Sequence, residues 1–303
     1  MPLAPAPLDI LRCLTDAAAR GIEGVLVTLT GIEGSSSRGV GTQMAVLADG
    51  TRLGSFSGGC IEAAVVAEAL EALAAGAGRV VRYGVGSPYL DIRLPCGGGI
   101  DLTFTPRPDP EALAAVLAAC AARREASLAI GPDGVADGPF HCAYTPVPRL
   151  IAVGQGEEVA ALARLGAAYG LAVTALVPAG DGLVAEDFAV EHMASVRRLP
   201  PIHGDAWTAI VFLFHDRDWE AHLLPHALAE TSCFIGAVGS RRTHQARVLA
   251  LAEAGVAQAR IDALHAPVGL IPATRDPAML ALSILAEVVP AYPRGVARMV
   301  ERA

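Results

Sequence analysis

From residue 150 onward the chain alternates short apolar runs with helix-length segments: LIAVG (150–154), a helix to 168, LAVTALV (171–177), AIVFLFH (209–215), a helix to about 230, CFIGAV (233–238) and a helix to 254. Runs that short, rich in branched aliphatic residues and separated by helices, fit parallel strands buried on both faces. The alternation restricts this half to a doubly wound parallel sheet with a Rossmann-like course. Asp276 and Pro277 supply an N-cap and a first-turn proline for a last helix to about 289.

The first half reads differently. A helix over 8–20 is followed by the strand GVLVTLT (24–30), and residues 42–48 and 51–57 flank Asp49-Gly50, a pair suited to a tight hairpin turn. Residues 60–75 form a strong helix stopped by Gly76, strands follow at 79–83 and 100–105, and Asp109-Pro110 opens a helix over 111–124. Pro146 and Pro148 in TPVPR (145–149) interrupt regular structure and mark the boundary between an N-terminal α/β domain, 1–145, and the Rossmann-like domain, 149–303. No internal repeat is visible.

Composition excludes several functions. A net charge of -8 opposes a nucleic-acid surface, which needs clustered excess basic residues. All 23 basic residues are arginine, so neither a Schiff-base lysine nor the lysine of a phosphate-loop NTPase is available. The longest apolar stretches carry Glu68 or Glu287 and fall short of the roughly 20 residues of a spanning helix. The start lacks the basic and apolar tracts of a secretory signal, which leads us to expect a cytoplasmic protein with reduced thiols. Six cysteines show no CxxC pair and no zinc-ribbon spacing, so no metal site is assigned.

Two of those cysteines stand beside glycine runs, Cys60 in GSFSGGCIE (54–62) and Cys96 in LPCGGGID (94–101). Glycine lets backbone N–H groups turn toward one anion, while a thiolate is a soft partner for sulfur or metal chemistry. Gly58, Gly59 and Cys60 with Cys96, Gly97 and Gly98 are therefore candidate binding residues for an anionic, sulfur-containing cofactor. Cys60 also lies at the expected start of a helix, where N–H groups favour a thiolate. The competing reading is local: a free cysteine is commonly a small buried hydrophobe and glycines often only make turns. Cys13, Cys120, Cys142 and Cys233 fit that packing role.

SGGCIEAAV and LPCGGGIDLTF resemble the two cysteine motifs of the xanthine dehydrogenase accessory (XdhC/CoxI) family, as do GSSSRGVGTQM (34–44), IGAVGSRR (235–242), HAPVGL (265–270) and LSILAE (282–287). The resemblance implies a maturation factor without turnover of its own, which binds molybdenum cofactor as molybdopterin or its dinucleotide form, protects it during sulfuration and inserts it into a molybdenum hydroxylase. It implies the apoenzyme and a cysteine desulfurase as partners, with a homodimer as a candidate assembly. Cys60 and Cys96 occupy the cysteine positions implicated in handling the cofactor. Ser37 and Gln43 stand where family members usually carry proline and lysine; Arg38 remains for a phosphate or pterin contact.

In the second half VGQGEEV (153–159) follows a strand and opens a helix, the setting of a dinucleotide fingerprint. Val159 replaces the third glycine, Glu157 and Glu158 put negative charge where a pyrophosphate would lie, and no acid ends the second strand, since Asp181 is displaced by a further turn. NAD(P) binding is not expected, and an NAD(P)-dependent oxidoreductase is kept as the alternative function. His215-Asp216 closes a strand at the edge where open α/β sheets bind ligands. Ser240 and Arg241 open a helix whose N–H groups suit an anion, with Arg242 beside them.

Overall fold

The computed structural model describes residues 4–59, 61–87, 97–196, 200–214 and 217–299. Two compact units emerge, Ala4–Pro146 joined by residues 294–299, and Val147–Pro293.

In the first unit α1 (Pro7–Ala19) precedes β1 (Gly24–Glu33), β2 (Gln43–Leu47), β3 (Arg52–Leu53), α2 (Glu62–Ala75), β4 (Arg79–Gly84), β5 (Gly99–Pro106), α3 (Pro110–Ala121), β6 (Ala126–Ile130) and β7 (Phe140–Tyr144). Five strands form an antiparallel sheet in the order β3-β2-β1-β5-β4. Successive side chains leave opposite faces of a strand, so Val25, Val27 and Leu29 of β1 join Met44 and Val46 beneath α2. Leu26, Ala45 and Leu47 pack instead with residues of α1 and α3.

Asp49-Gly50 makes the expected turn, with Gly50 at φ 82° and the Leu47 N–H bonded to the Thr51 carbonyl at 2.8 Å. The return strand is shorter than the expected 51–57, because at Gly54 the backbone turns back against the Gln43 carbonyl. A Cβ at Gly54 would stand 2.7 Å from that oxygen. Helix α2 likewise begins at Glu62, two positions later than the expected Cys60, and ends at Gly76 in the left-handed conformation.

The second unit holds β8 (Arg149–Gly154), α4 (Glu157–Tyr169), β9 (Ala172–Pro178), β10 (Ala189–Met193), β11 (Thr208–Leu213), α5 (Arg217–Ala229), β12 (Phe234–Ala237), α6 (Arg241–Glu253), α7 (Gln258–Asp262) and α8 (Pro277–Val288). Its parallel sheet runs β10-β9-β8-β11-β12, with the strand order reversing beside β8. Separate cores cover its two faces, one built with α4 and α8, the other with α5, α6 and α7. The architecture is thus mixed α/β with a doubly wound, Rossmann-like second half. Beneath β12 the Arg247 guanidinium is buried, forks onto the Glu220 carboxylate of α5 and donates to the Val238 carbonyl at 2.8 Å.

The chain then returns. β13 (Ala297–Met299) pairs with β7 in a three-stranded antiparallel sheet, β13-β7-β6, of the first unit. That differs from the expected second domain running to 303. Among the described residues no helix is long and apolar enough to cross a membrane.

Candidate functional site

Register places the candidate loops. β1 runs toward Glu33, Thr28 faces Gln43 at the start of β2, Ala45 faces Leu53 at the end of β3, and Gly99 at the start of β5 faces both Glu33 and Gly84. The chain therefore leaves or re-enters one end of this sheet at Glu33, Gln43, Leu53, Gly84 and Gly99, the described positions that flank segments 34–42, 54–61 and 85–98. Loop 34–42 touches the other two. Ser37 Oγ donates to the Phe56 carbonyl at 3.1 Å, and Gly98 lies so close to loop 34–42 that a Cβ on it would stand 2.1 Å from the Ser35 carbonyl oxygen. Cys60 and Cys96, both candidate cofactor contacts, lie outside the described residues.

The first glycine loop is organised around an acid. Glu62, 2% exposed, turns its carboxylate back into residues 55–61. Oε1 accepts from Ser55 Oγ at 2.7 Å, Phe56 N–H at 3.1 Å and Ser57 N–H at 2.9 Å. Oε2 accepts from Ser57 Oγ at 2.8 Å, Gly59 N–H at 2.8 Å and Ile61 N–H at 3.3 Å. Burial opposes the charge, but the donated hydrogen bonds outweigh it and hold the carboxyl well below the usual glutamate range. Gly59, at φ 132°, provides the backbone conformation that aims its N–H inward.

This arrangement corrects one expectation. The Gly59 and Ile61 N–H groups, expected to face an anionic ligand or a thiolate, face the protein's own carboxylate. Sequence reading passed over Glu62, although an acid in the first turn of a helix is where a carboxylate meets the free N–H groups at the helix start. Gly58 and Gly97 have positive φ and open space where a side chain would stand. Arg38 is exposed on loop 34–42, its N–H bonded to Ser36 Oγ at 3.2 Å. Gln43, at the position that differs from the usual family lysine, is buried; it donates to Thr28 Oγ1 at 3.3 Å and accepts from the Tyr144 hydroxyl at 2.9 Å. It belongs to the core.

In the second unit the fingerprint loop also meets an internal acid. The Gly156 N–H donates to Asp181 Oδ2 at 2.9 Å, so the acid set aside as displaced reaches the glycine turn after all. Val159 is fully buried in the core. The close approach of helix to sheet comes two turns later, at Gly166, where a Cβ would lie 2.9 Å from Leu150 Cδ2. Ser240 is the N-cap of α6: its oxygen accepts from the Thr243 N–H at 3.1 Å, while Arg241 and Arg242 are exposed. His215-Asp216 lies outside the described residues. His265 Nδ1 and the Gly269 N–H both meet the Glu287 carboxylate, joining HAPVGL to LSILAE.

Cys120 and Cys142 are buried in the first core, and Cys233 is partly buried. Among the described residues no three His, Cys, Asp or Glu side chains gather as a metal site.

Comparison with known proteins bears on both units. Residues 17–84 match the model of the XdhC and CoxI family, and residues 150–288 match that of the XdhC Rossmann domain. The molybdenum cofactor insertion chaperone PaoD of Escherichia coli (strain K12) is 37% identical over 292 residues, which span 92% of this chain and 86% of PaoD. The uncharacterized protein YqeB of the same organism is 28% identical over 264 residues, 82% of this chain but 40% of YqeB. A crystal structure described as a xanthine dehydrogenase from Bacillus halodurans has the same fold, with a TM-score of 0.75 at 20% identity over 93% of this chain and 95% of that one.

Proposed function

Because the chain belongs to the XdhC and CoxI family, we propose that it is a maturation factor that binds molybdenum cofactor and inserts it into a molybdenum hydroxylase apoenzyme of the xanthine dehydrogenase or CO dehydrogenase type. PaoD, a molybdenum cofactor insertion chaperone alignable over most of both chains, supports the role. The cofactor is cargo, sulfurated while held with sulfur from a cysteine desulfurase, and the work is done in the cytoplasm. What supports the site is that Leu53, Gly84 and Gly99, which flank the two glycine-cysteine segments, and Glu33 and Gln43, which flank segment 34–42, stand at one end of one sheet. A soft, sulfur-bearing ligand there meets Cys60 from one loop and Cys96 from the other, with Arg38 for a phosphate.

Anaerobic purification from cells making the cofactor, followed by molybdenum and pterin analysis, tests this directly. Wild type should carry both; Cys60→Ala and Cys96→Ala should each carry less while remaining folded, and Cys120→Ala should retain wild-type amounts. Equal retention in all four would overturn the assignment.

The competing reading, an NAD(P)-dependent oxidoreductase, draws on the strand order and GQG turn of the second unit. Against it stand the Asp181 carboxylate on the Gly156 N–H and Glu157 and Glu158 beside it, which disfavour a pyrophosphate. Calorimetric titration with NAD(H) and NADP(H) separates the two: the maturation reading expects no micromolar binding.

A further inference from the structure

The turn between β12 and α6 holds donors that the fold leaves unused. Arg247 is 5% exposed. Its guanidinium gives Nε and Nη2 to the Glu220 carboxylate, and Nη2 also donates to the Val238 carbonyl at 2.8 Å. Nη1 is buried and has no hydrogen-bond partner among the described residues. The guanidinium is a planar fork, so one Nη1 hydrogen runs parallel to the Nη2 hydrogen that meets Val238, toward the carboxyl end of β12.

That end is the start of α6. A Cβ on Gly239, at φ 136°, would stand 3.6 Å from Arg247 Nη2, so the guanidinium lies against the Gly239–Ser240 turn. Ser240 caps the helix through the Thr243 N–H, and the N–H groups of Arg241 and Arg242 have no intrahelical partner at the positive end of the helix dipole. His244 stands one turn before Arg247 on the same helical face, and its Nδ1 is likewise buried without a partner. Burial, and then Arg247, hold that ring below the usual histidine range against the pull of Glu220, so the neutral ring offers one further polar contact. Charge divides across the carboxyl edge of the sheet. Glu157, Glu158 and Asp181 gather at the β8–α4 turn, where a Rossmann-like unit ordinarily receives a phosphate. Arg241 and Arg242 are exposed at the β12–α6 turn, and the Glu220 charge there is met by Arg247.

We infer that the β12–α6 turn is a phosphate site, for the free ion or for the monoester of a larger molecule. The Arg241 and Arg242 N–H groups and the Ser240 hydroxyl hold it at the surface, and Arg247 Nη1 holds it from within. A buried donor left unpaired is destabilising, and this one points where a helix N-terminus already favours an anion. Donors from the helix end, a hydroxyl and a guanidinium outnumber the two oxygens of a carboxylate and suit the three acceptor oxygens of a phosphate monoester. The fork onto Glu220 fixes the plane of the guanidinium and so the direction of Nη1. The site belongs to the second unit, and the maturation reading stands or falls without it.

Calorimetric titration of the full-length protein with inorganic phosphate and with glycerol 3-phosphate, at constant ionic strength, tests this. Wild type should bind at least one of them with a dissociation constant of about 1 mM or tighter, so that roughly 10 mM ligand fills about nine-tenths of the sites. No binding at that concentration leaves Nη1 to a buried water and overturns the inference. A monoester that binds as well as phosphate or better assigns a larger ligand, and phosphate bound alone assigns the free ion; either result keeps the site. Arg247→Lys retains the charge opposite Glu220 but has no Nη1, and should weaken binding at least about tenfold. Wild-type affinity there would mean that the exposed arginines suffice and that no buried donor takes part, which sinks the proposal. If that variant does not fold, nitrogen-15 spectra of arginine-labelled wild type replace it: the slowly exchanging guanidinium of the buried pair should shift as phosphate is added, and one that stays fixed overturns the inference equally. The backbone must agree. Amides of Arg241 and Arg242 should move with phosphate while that of Gly156, already bonded to Asp181, should not; the reverse pattern would put the anion at the β8–α4 turn and refute the assignment.

Discussion

At the scale of single residues, the thiols divide by what surrounds them. Burial pushes the Cys142 thiol up to about 11, against a smaller lowering by Tyr144, and burial likewise raises Cys233 to about 11, with Asp205 adding to the rise. Only the thiolate attacks an alkylating agent, so at pH 8 roughly one molecule in a thousand is reactive at either position. We expect iodoacetamide at pH 8 to spare Cys142 and Cys233 in the native protein and to modify both after denaturation; rapid native labelling of Cys142 would contradict the burial. The same shift has a stability consequence of definite sign. An unfolded thiol loses its proton near the ordinary value of 9.0 while the folded one keeps it, so the stabilisation is complete below that pH and is lost as pH rises from there toward 11. Glu62 works in the opposite direction: its lowered value makes the stabilisation complete above the ordinary glutamate range and lost as pH falls below it.

At the scale of elements, glycines and acids act together in ways a motif search misreads. GQG and SGGC look like anion cradles because glycine permits inward N–H groups, but a sequence does not show which anion fills them. Here Asp181 answers Gly156, Glu62 answers Gly59, and Glu287 answers Gly269. Asp181 is visible in the sequence but reads as displaced, since only the course of the turn after β9 brings it back to Gly156. The lost third glycine of the fingerprint is answered within α4 itself. Gly166 is seven residues beyond Val159, hence on the same helical face, and its missing Cβ admits Leu150 and Val173. Gly166→Ala should gain about 1 kcal/mol of helix propensity and lose about 1–3 kcal/mol to overpacking, for a net loss of up to about 2 kcal/mol. Urea unfolding checks this; a more stable variant would mean that the contact yields freely.

For the whole molecule, legibility followed sequence distance. The alternation beyond residue 150, the hairpin at Asp49-Gly50 and the caps at Asp109 and Asp276 are local signals, and each stands where expected. β6, β7 and β10 were passed over. β7 does alternate, with Phe140, Cys142 and Tyr144 buried and His141 exposed, but it and β6 are only five residues long, and β10 lies largely exposed at the edge of its sheet. β13 was beyond local reading, because a three-residue strand gains its identity from β7, more than 150 residues earlier. Its role can be tested. Ala297 sits where Gly41 leaves no room for a side chain, the absent Cβ lying 2.3 Å from the Ala297 methyl, and the Ala143 N–H donates to the Val296 carbonyl at 3.0 Å. Deleting residues 294–303 strips these partners from β7, whose Phe140, Cys142 and Tyr144 belong to the first core. We expect the truncated chain to lose amide protection in β6 and β7 and to unfold its first unit at lower urea, while the amides of β8, β9 and β11 exchange as in wild type. A buried strand edge deprived of its neighbour leaves polar groups that water must satisfy, so the loss should be confined to the core that β13 covers. Deprotection spreading equally through the parallel sheet would show instead that the two units unfold as one.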